Sequence, residues 1–247
     1  MITRDGKLIG RFENDDVFKT RVSALYASYG DRSDCGFYVQ KNGRGQITAV
    51  ISDVDKNINI SCLPSADISE LKEFLYFIGC RSLMCRSDVH DMLGFDFKKV
   101  GFVVEKSSCS SPPKKPSSLL TPQYSEFSYK SVYKILKACG FELPPYYMWL
   151  SDIALRAKHK TAGVYLLREN GTDASTVSEL FIAENAVMLG AVGTLPSFRG
   201  MGLAGQLVTY AADKNIICGR RAELLCEEKR LSFYLSLGFN VVGEWKQ

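Results

Sequence analysis

The sequence predicts an α/β protein of the α+β type, in which a mixed, largely antiparallel sheet flanked by helices occurs twice. Three observations support this. Helical and strand-like segments alternate along the chain, their order in the first half recurs in the second, and a polar segment separates the halves. With 247 residues, of which 46% are hydrophobic and 23% charged, the chain can form one large domain or two small ones.

The first half begins with a helical pattern and continues mostly with strands. Apolar residues recur at helical spacing from Val17 to Tyr29, and a second helix is predicted over 67–79. Strand-like apolar runs occupy 35–41, 46–54, 57–62, 82–85 and 98–106. This half, residues 1–105, is predicted to form the first domain.

A polar segment, residues 106–121, interrupts the alternation of helices and strands. It contains six Ser, three Pro and three Lys, which is a composition that does not build an interior element. We interpret it as a linker, so that residues 122–247 form the second domain.

The second half repeats the order of the first. Helices are predicted at 129–139, 146–158, 200–215 and 229–236. Strands are predicted at 163–169, 174–183, 186–194, 222–226 and 239–245. Helices followed by strands in this mixed order favour the same layered architecture in both domains.

One junction in the second half has the composition of an anion-binding site. The strand 186–194 runs into LPSFRGMGLAGQLV, where Pro196 ends the strand and an amphipathic helix follows. The first N–H groups of a helix are unpaired and carry a partial positive charge, and glycines there remove the Cβ atoms that would keep a ligand away. The junction therefore suits a phosphate or pyrophosphate group.

Two motifs in this half resemble those of one enzyme family. The pattern R-x-x-G-x-A, residues 199–204, is similar to the signature of the GNAT superfamily of acyl-CoA-dependent N-acyltransferases. The segment FYLSLGF, residues 233–239, is similar to the closing motif of that family, with Gly238 ending a short helix. The order of the motifs and their separation of about 35 residues make the pair more specific than either alone. The resemblance covers roughly residues 123–247.

The resemblance implies a binding site for acetyl-CoA and no metal. In the family, a strand pairs through its backbone with the pantetheine arm, and the following loop surrounds the pyrophosphate. Carried over by position, the strand residues are Val192, Gly193 and Thr194. The loop residues are Arg199, Gly200, Met201, Gly202, Leu203, Ala204 and Gly205.

The resemblance also implies a catalytic role for Tyr234. The family places a tyrosine at this position near the thioester sulfur, where it protonates the departing thiolate. A phenol with a pKa of about 10 is protonated at neutral pH and can supply a proton to a thiolate with a pKa of about 8.5. An amine acceptor would attack the thioester directly, without a covalent enzyme intermediate.

The sequence departs from the family pattern at two places. Many members have Asn seven residues before the tyrosine, where this chain has Glu227. The strand 186–194 contains no acidic residue to serve as a general base. Glu179, Glu184 and His159 are alternatives that would act through a water molecule, and the sequence does not choose among them.

The first half has lost the residues of the anion-binding junction. Its equivalent segment, CLPSADISELKEF, keeps Leu-Pro-Ser but replaces the arginine and both glycines. Asp67 and Glu70 are predicted to form a capping box, with Asp67 bonding the helix N–H groups and Glu70 reaching back. Because these carboxylates would repel a pyrophosphate, the first domain is predicted not to hold coenzyme A. Its expected roles are to shape the acceptor cleft and to cover a sheet edge.

Composition limits the other classes of function. A net charge of +4 does not provide the dense basic surface of a dedicated nucleic-acid binder. The sequence has no apolar run of about 18 residues and no signal-like amino terminus, so we expect a cytoplasmic protein without a membrane partner. The eight cysteines form no C-x-x-C pair and only two histidines are present, which argues against a zinc site.

The sequence leaves a second function open. The missing acid on strand 186–194 favours a non-catalytic acyl-CoA-binding or regulatory module, whereas Tyr234 favours the enzyme. The acceptor amine is not identified by the sequence, and an oligomer is possible.

Overall fold

The computed structural model describes residues 1–30, 32–109, 111–120 and 126–247. Two residues of the predicted linker, Ser110 and Thr121, lie outside these ranges. The fold class is confirmed: the described residues form a mixed, largely antiparallel sheet arrangement with flanking helices. Within these residues, no helix has the length and apolarity needed to cross a membrane.

The helices lie close to the predicted positions. They are α1 (Val17–Tyr29), α2 (Ile68–Ile78), α3 (Ser87–Leu93), α4 (Glu126–Ala138), α5 (Tyr146–Lys158), α6 (Leu203–Ile217) and α7 (Glu228–Ser236). Helix α3 is the exception, because no helix was predicted between the strands at 82–85 and 98–106. Short 3-10 turns occur at Gly6–Arg11 and Pro196–Phe198. Helix α6 begins three residues later than predicted because Gly200 and Gly202 have φ angles of +81° and +74°, which no α-helix contains.

The strands include two that the sequence did not predict. In chain order they are β1 (Ile2–Thr3), β2 (Cys35–Lys41), β3 (Ile47–Val54), β4 (Asn57–Cys62), β5 (Ser82–Arg86), β6 (Val100–Lys106), β7 (Leu119–Leu120), β8 (Gly163–Glu169), β9 (Thr172–Ile182), β10 (Ala186–Thr194), β11 (Arg221–Cys226) and β12 (Asn240–Lys246). The new ones are β1 and β7. Strand β7 lies inside the segment interpreted as a linker.

The chain divides into two compact units that are not contiguous in sequence. The first comprises 1–104, 225–232 and 241–247, and the second comprises 105–224 and 233–240. The carboxy-terminal strand β12 thus belongs to the first unit, where it runs antiparallel to β5 with Trp245 opposite Arg86.

In the first unit the strand order is β1-β2-β3-β4-β5-β12-β6, to which β6 contributes Val100–Val104, while its last two residues, Glu105 and Lys106, belong to the second unit. Strands β1 to β4 pair antiparallel, and β5 runs parallel to β4 because α2 crosses between them. The apolar face of α2 packs on this sheet, where Leu71 and Leu75 join Ile51 and Ile60 in a fully buried core.

The second unit repeats this plan with the order β11-β10-β9-β8-β7. Strands β7 to β10 pair antiparallel, and β11 runs parallel to β10 after the crossover helix α6. Helices α4 and α5 bury Val132, Leu136 and Ile153 against β8. In both units, three consecutive antiparallel strands, β2 to β4 and β8 to β10, are followed by a helix and a parallel strand, as the repeat in the sequence predicts.

The packing around β6 in the first unit requires a glycine at position 101. A Cβ atom on Gly101 would lie 2.1 Å from the carbonyl oxygen of Cys226 and 2.9 Å from Nε1 of Trp245. Backbone on one side and a buried indole on the other leave no space for a methyl group.

We therefore predict that Gly101→Ala lowers the free energy of unfolding by at least about 2 kcal/mol, because overpacking forces the backbone to shift. Chemical denaturation measures this change. Gly10→Ala, at an exposed position with no atom within 4 Å, is the control and should change it by less than about 0.5 kcal/mol. Equal effects of the two substitutions would contradict the packing argument.

Candidate functional site

The end of β10 departs from regular pairing. Its register with β9 shifts between Gly190 and Gly193, and Ala191 in this bulge has a φ angle of +47°. Among the described residues, the ladder between β10 and β11 ends at the pair Leu189 and Leu224, while β10 continues to Thr194. The last part of β10 therefore extends past its parallel neighbour, where an extended ligand could pair with its backbone.

Side chains from neighbouring elements fix this end of β10. The Ser175 hydroxyl donates to the Gly193 carbonyl oxygen at 3.0 Å and lies 2.8 Å from the Thr194 hydroxyl. The Cys139 thiol and Nε of Arg199 both reach the Thr194 carbonyl oxygen, at 3.2 and 3.3 Å. The lone pairs of that carbonyl are thus used within the protein, and the backbone here is held in one conformation.

The loop after β10 ends in a helix start with no side-chain cap. Gly200 and Gly202 adopt left-handed conformations, Gly202 occupies the N-cap position of α6, and among the described residues no side-chain cap hydrogen bond forms there. By contrast, Asp16 caps α1 and Asp67 caps α2. The N–H groups at the start of α6 can therefore bind an anion.

Space for a ligand is available beside this loop. A Cβ atom built on Gly200 or Gly202 would meet no atom within 4 Å. Arg199 and Met201 are exposed, Ala204 and Gly205 are half-buried, and the Leu203 side chain anchors the helix in the core. The glycines are thus required by their backbone angles rather than by crowding, and the loop presents N–H groups and one guanidinium to solvent.

The closing motif lies next to the first turn of α6. Helix α7 ends at Ser236, and Gly238, with a φ angle of +84°, turns the chain into β12. Cδ2 of Leu237 is 3.5 Å from the position that a Cβ atom would occupy on Gly205. The fold therefore brings together the two motifs that lie far apart in the sequence.

Tyr234 is held firmly within this motif. Its ring makes edge contacts with Phe233 and Phe239, at centroid distances of 5.0 and 6.1 Å, and the residue is 9% exposed. Its carbonyl oxygen accepts hydrogen bonds from the N–H groups of Leu237 and Phe239. The position of the phenol is thus tied to the turn at Gly238.

Two residues with reactive side chains, Cys226 and Glu227, lie directly before α7. Glu227 precedes the first residue of α7, and its carboxylate pairs with Lys229, a hydrogen bond that lowers the pKa of Glu227. Burial raises the pKa of the Cys226 thiol. Cys226 is therefore a poor nucleophile, as expected for a cysteine without an activating base.

The suggested general bases lie away from the helix start. Glu179 is buried and accepts hydrogen bonds from the Tyr165 hydroxyl at 2.8 Å and from Nδ2 of Asn215 at 2.6 Å. Asn215 lies 13 residues beyond Gly202, which at 1.5 Å per residue is about 20 Å along α6. Glu184 is exposed in the turn between β9 and β10, and His159 follows the end of α5.

One acidic residue near the site was not considered from the sequence. Glu223 is 2% exposed on β11, opposite Met188 and one position before the last pair with β10. Its carboxylate accepts a hydrogen bond from Nε of Arg221 at 2.9 Å, and that guanidinium also lies 3.3 Å from Glu105. A single acid in the apolar run RAELLC is the signal that could have identified it.

The equivalent helix start in the first unit is closed by carboxylates. Oδ1 of Asp67 accepts the N–H of Glu70 at 3.0 Å, as predicted. Glu70 does not complete the capping box, because Gln40 accepts the Asp67 N–H and the Glu70 carboxylate binds Gln40 and the N–H of Ile2 instead. Two negative groups therefore lie where the second unit has glycines.

Two comparisons of the sequence with known proteins find no relative. No protein-family model matches the chain, and a search of curated proteins also finds no match. Among the described residues, no group of three or more His, Cys, Asp or Glu side chains is arranged to hold a metal ion.

Solved structures with acetyltransferase folds match nearly the whole chain. A GCN5-related N-acetyltransferase from Sphaerobacter thermophilus has a TM-score of 0.59 at 13% identity and covers 100% of this chain and 93% of its own. One from Kribbella flavida has a TM-score of 0.56 at 17% identity, with coverages of 91% and 93%. A tandem GNAT protein from the clavulanic acid biosynthesis pathway has a TM-score of 0.54 at 13% identity, with coverages of 100% and 97%. These similarities show that the chain has the GNAT fold.

The strained backbone at Ala191 yields a prediction. A left-handed conformation costs an L-residue about 1–2 kcal/mol, and a β-branched residue fits it least well. We predict that Ala191→Val lowers the free energy of unfolding by at least about 1 kcal/mol, whereas Ala191→Gly leaves it unchanged or raises it. In a regular strand the valine variant would instead be more stable than the glycine variant. Thermal or urea unfolding of both variants tests it, and a less stable glycine variant would argue against the bulge.

Proposed function

We propose that this chain, which has the fold of GNAT acetyltransferases, transfers an acyl group from an acyl-CoA to an amine, with acetyl-CoA as the donor. The observation that carries the proposal is the junction between β10 and α6. There, a bulged strand end that extends past its neighbour leads into an uncapped helix start with two left-handed glycines.

The residues of this junction fit the donor. The N–H groups at the start of α6, together with Arg199, would bind the pyrophosphate. The backbone of β10 from Val192 to Thr194 would pair with the pantetheine arm, and because the Thr194 carbonyl is already bonded, this pairing would use other groups. The thioester would then lie toward the bulge, where β10 and β11 separate.

The proposed reaction needs one proton donor on the protein. The neutral amine attacks the thioester carbonyl, a C–N bond forms, and the C–S bond breaks. Tyr234 donates its phenolic proton to the departing thiolate, the proton of the new ammonium group passes to solvent, and the Tyr234 phenolate takes a proton back from solvent to restore the acid. The rigid turn at Gly238 supports this role, because catalysis by a positioned acid depends on its geometry.

A non-catalytic acyl-CoA-binding module remains the second candidate. Strand β10 contains no acidic residue, and the carboxylates of Glu179 and Glu223 are engaged with neighbouring side chains. Such a module would bind coenzyme A through the same junction without turnover. Measuring coenzyme A binding and acyl transfer on the same sample distinguishes the two candidates.

The proposed function yields a prediction about catalysis. Release of free thiol from acetyl-CoA, measured with a panel of amines, should reveal turnover, and Tyr234→Phe should reduce kcat by about 100-fold because the acid is lost. Tyr76→Phe makes the same chemical change at an exposed position on α2 and is the matched control, with no expected effect. Unchanged turnover in the Tyr234 variant would remove the acid role, and binding without turnover in the wild type would favour the second candidate.

The proposed function also yields a prediction about the donor site. Gly202→Asp places a carboxylate at the N-cap of α6, as Asp67 does in α2, and should weaken coenzyme A binding at least about tenfold by repelling the pyrophosphate. Gly202→Asn is the matched control, because Asn has the same shape, tolerates the left-handed conformation and carries no charge. Calorimetry measures both affinities. Equal affinities for the two variants would show that the anion binds elsewhere.

A further inference from the structure

An ion pair in the second unit has no role in the proposed reaction. Nζ of Lys106 lies 2.7 Å from Oδ1 of Asp213, and the side chains are only 12% and 11% exposed. Most surface pairs contribute little, but separating two charges that are removed from water is costly, because each is left without its partner. Lys106 is the last residue of β6 and Asp213 lies on α6, so the pair links two elements that are distant in the sequence.

The stem of Lys106 also lies beside the turn that follows α7. Its Cε atom is 3.6 Å from the position of a Cβ atom on Gly238. In the same turn, Leu237 lies beside Gly205 in the first turn of α6. The turn therefore has Lys106 and α6 as neighbours, and α6 carries Asp213, Gly205 and the helix start that would bind the donor.

Movement of this turn would move Tyr234. The N–H groups of Leu237 and Phe239 donate to the Tyr234 carbonyl oxygen at 3.0 and 3.2 Å, and the Phe239 ring packs on the Tyr234 ring. An error of about 1 Å in the position of a catalytic group can reduce a rate about 100-fold.

We propose that Lys106 and Asp213 form a positioning pair, which fixes the Tyr234 phenol relative to the start of α6. This inference rests on the proposed function. The pair does not touch the reacting atoms. It acts through the Gly238 turn, and its removal should change turnover more than donor binding.

The main test is a double-mutant cycle. Lys106→Met removes the ammonium group and keeps an unbranched stem, and we expect it to lower kcat at least about tenfold while the KM for acetyl-CoA changes less than about twofold. In a Tyr234→Phe background the same substitution should have almost no further effect, because the group it positions is absent. An equal reduction in both backgrounds would overturn the proposal.

Three further variants separate positioning from a general loss of stability. Arg168→Met removes a cation from the exposed pair with Asp173 and should leave kcat unchanged. Lys106→Arg restores the charge and should restore most of kcat. If Lys106→Met fails to fold, the double variant Lys106→Met with Asp213→Asn leaves no unpaired buried charge, and it should fold with the same loss of kcat. Full activity in that double variant would overturn the proposal.

A readout that does not need activity distinguishes this inference from the proposed function. With 3-fluorotyrosine incorporated at position 234, the fluorine resonance should shift or broaden in the Lys106→Met protein but not in the Arg168→Met protein. If the wild type transfers no acyl group, the proposed function fails while this measurement still decides whether the pair positions Tyr234. An unchanged resonance in both variants would overturn the positioning role.

Discussion

The site depends on the point where β10 loses its parallel neighbour. Up to Leu189 the strand is paired on both sides, and beyond it the backbone bulges at Ala191 and turns at Pro196 into α6. Backbone groups in a sheet or a helix are normally satisfied by neighbouring backbone, so a strand edge followed by an uncapped helix start concentrates unused hydrogen-bonding groups. Contacts from Ser175 and Cys139 hold this segment rigid, which favours ligand binding at low entropic cost.

The two units show how a small sequence change alters such a junction. Both follow the same order of strands and crossover helix, and both keep Leu-Pro-Ser before the helix. In the first unit the partial positive charge of the helix start is neutralised by Asp67, with Glu70 nearby, whereas in the second it faces open space beside Gly202. A helix start stabilised by its own carboxylate has lost most of its attraction for a phosphate. Anion binding by this nearly neutral chain would therefore depend on local N–H groups rather than on net charge.

Much of the fold could be predicted because it depends on local patterns. The apolar periodicity of α2 and the continuous apolar run of β10 place these elements within a residue or two, and the Pro196 and Gly202 positions indicate the junction. Elements that depend on distant partners could not be predicted. Strand β7 is only two residues long and exists because β8 pairs with it, and β12 joins the first unit through contacts with β5. Within the site, the motif pointed to Tyr234, and the lone acid in the apolar run RAELLC could have pointed to Glu223. The Lys106–Asp213 pair depends on packing between distant segments, which no local pattern reveals.

The central claim is that coenzyme A binds at the β10–α6 junction and not at the equivalent position of the first unit. Backbone amide chemical shifts, recorded by NMR as coenzyme A is added to the isotopically labelled protein, test it most directly. We expect the largest shifts at residues 191–194 and 199–205, with no change at residues 63–70. Shifts concentrated at 63–70, or spread over the surface without saturation, would contradict the account.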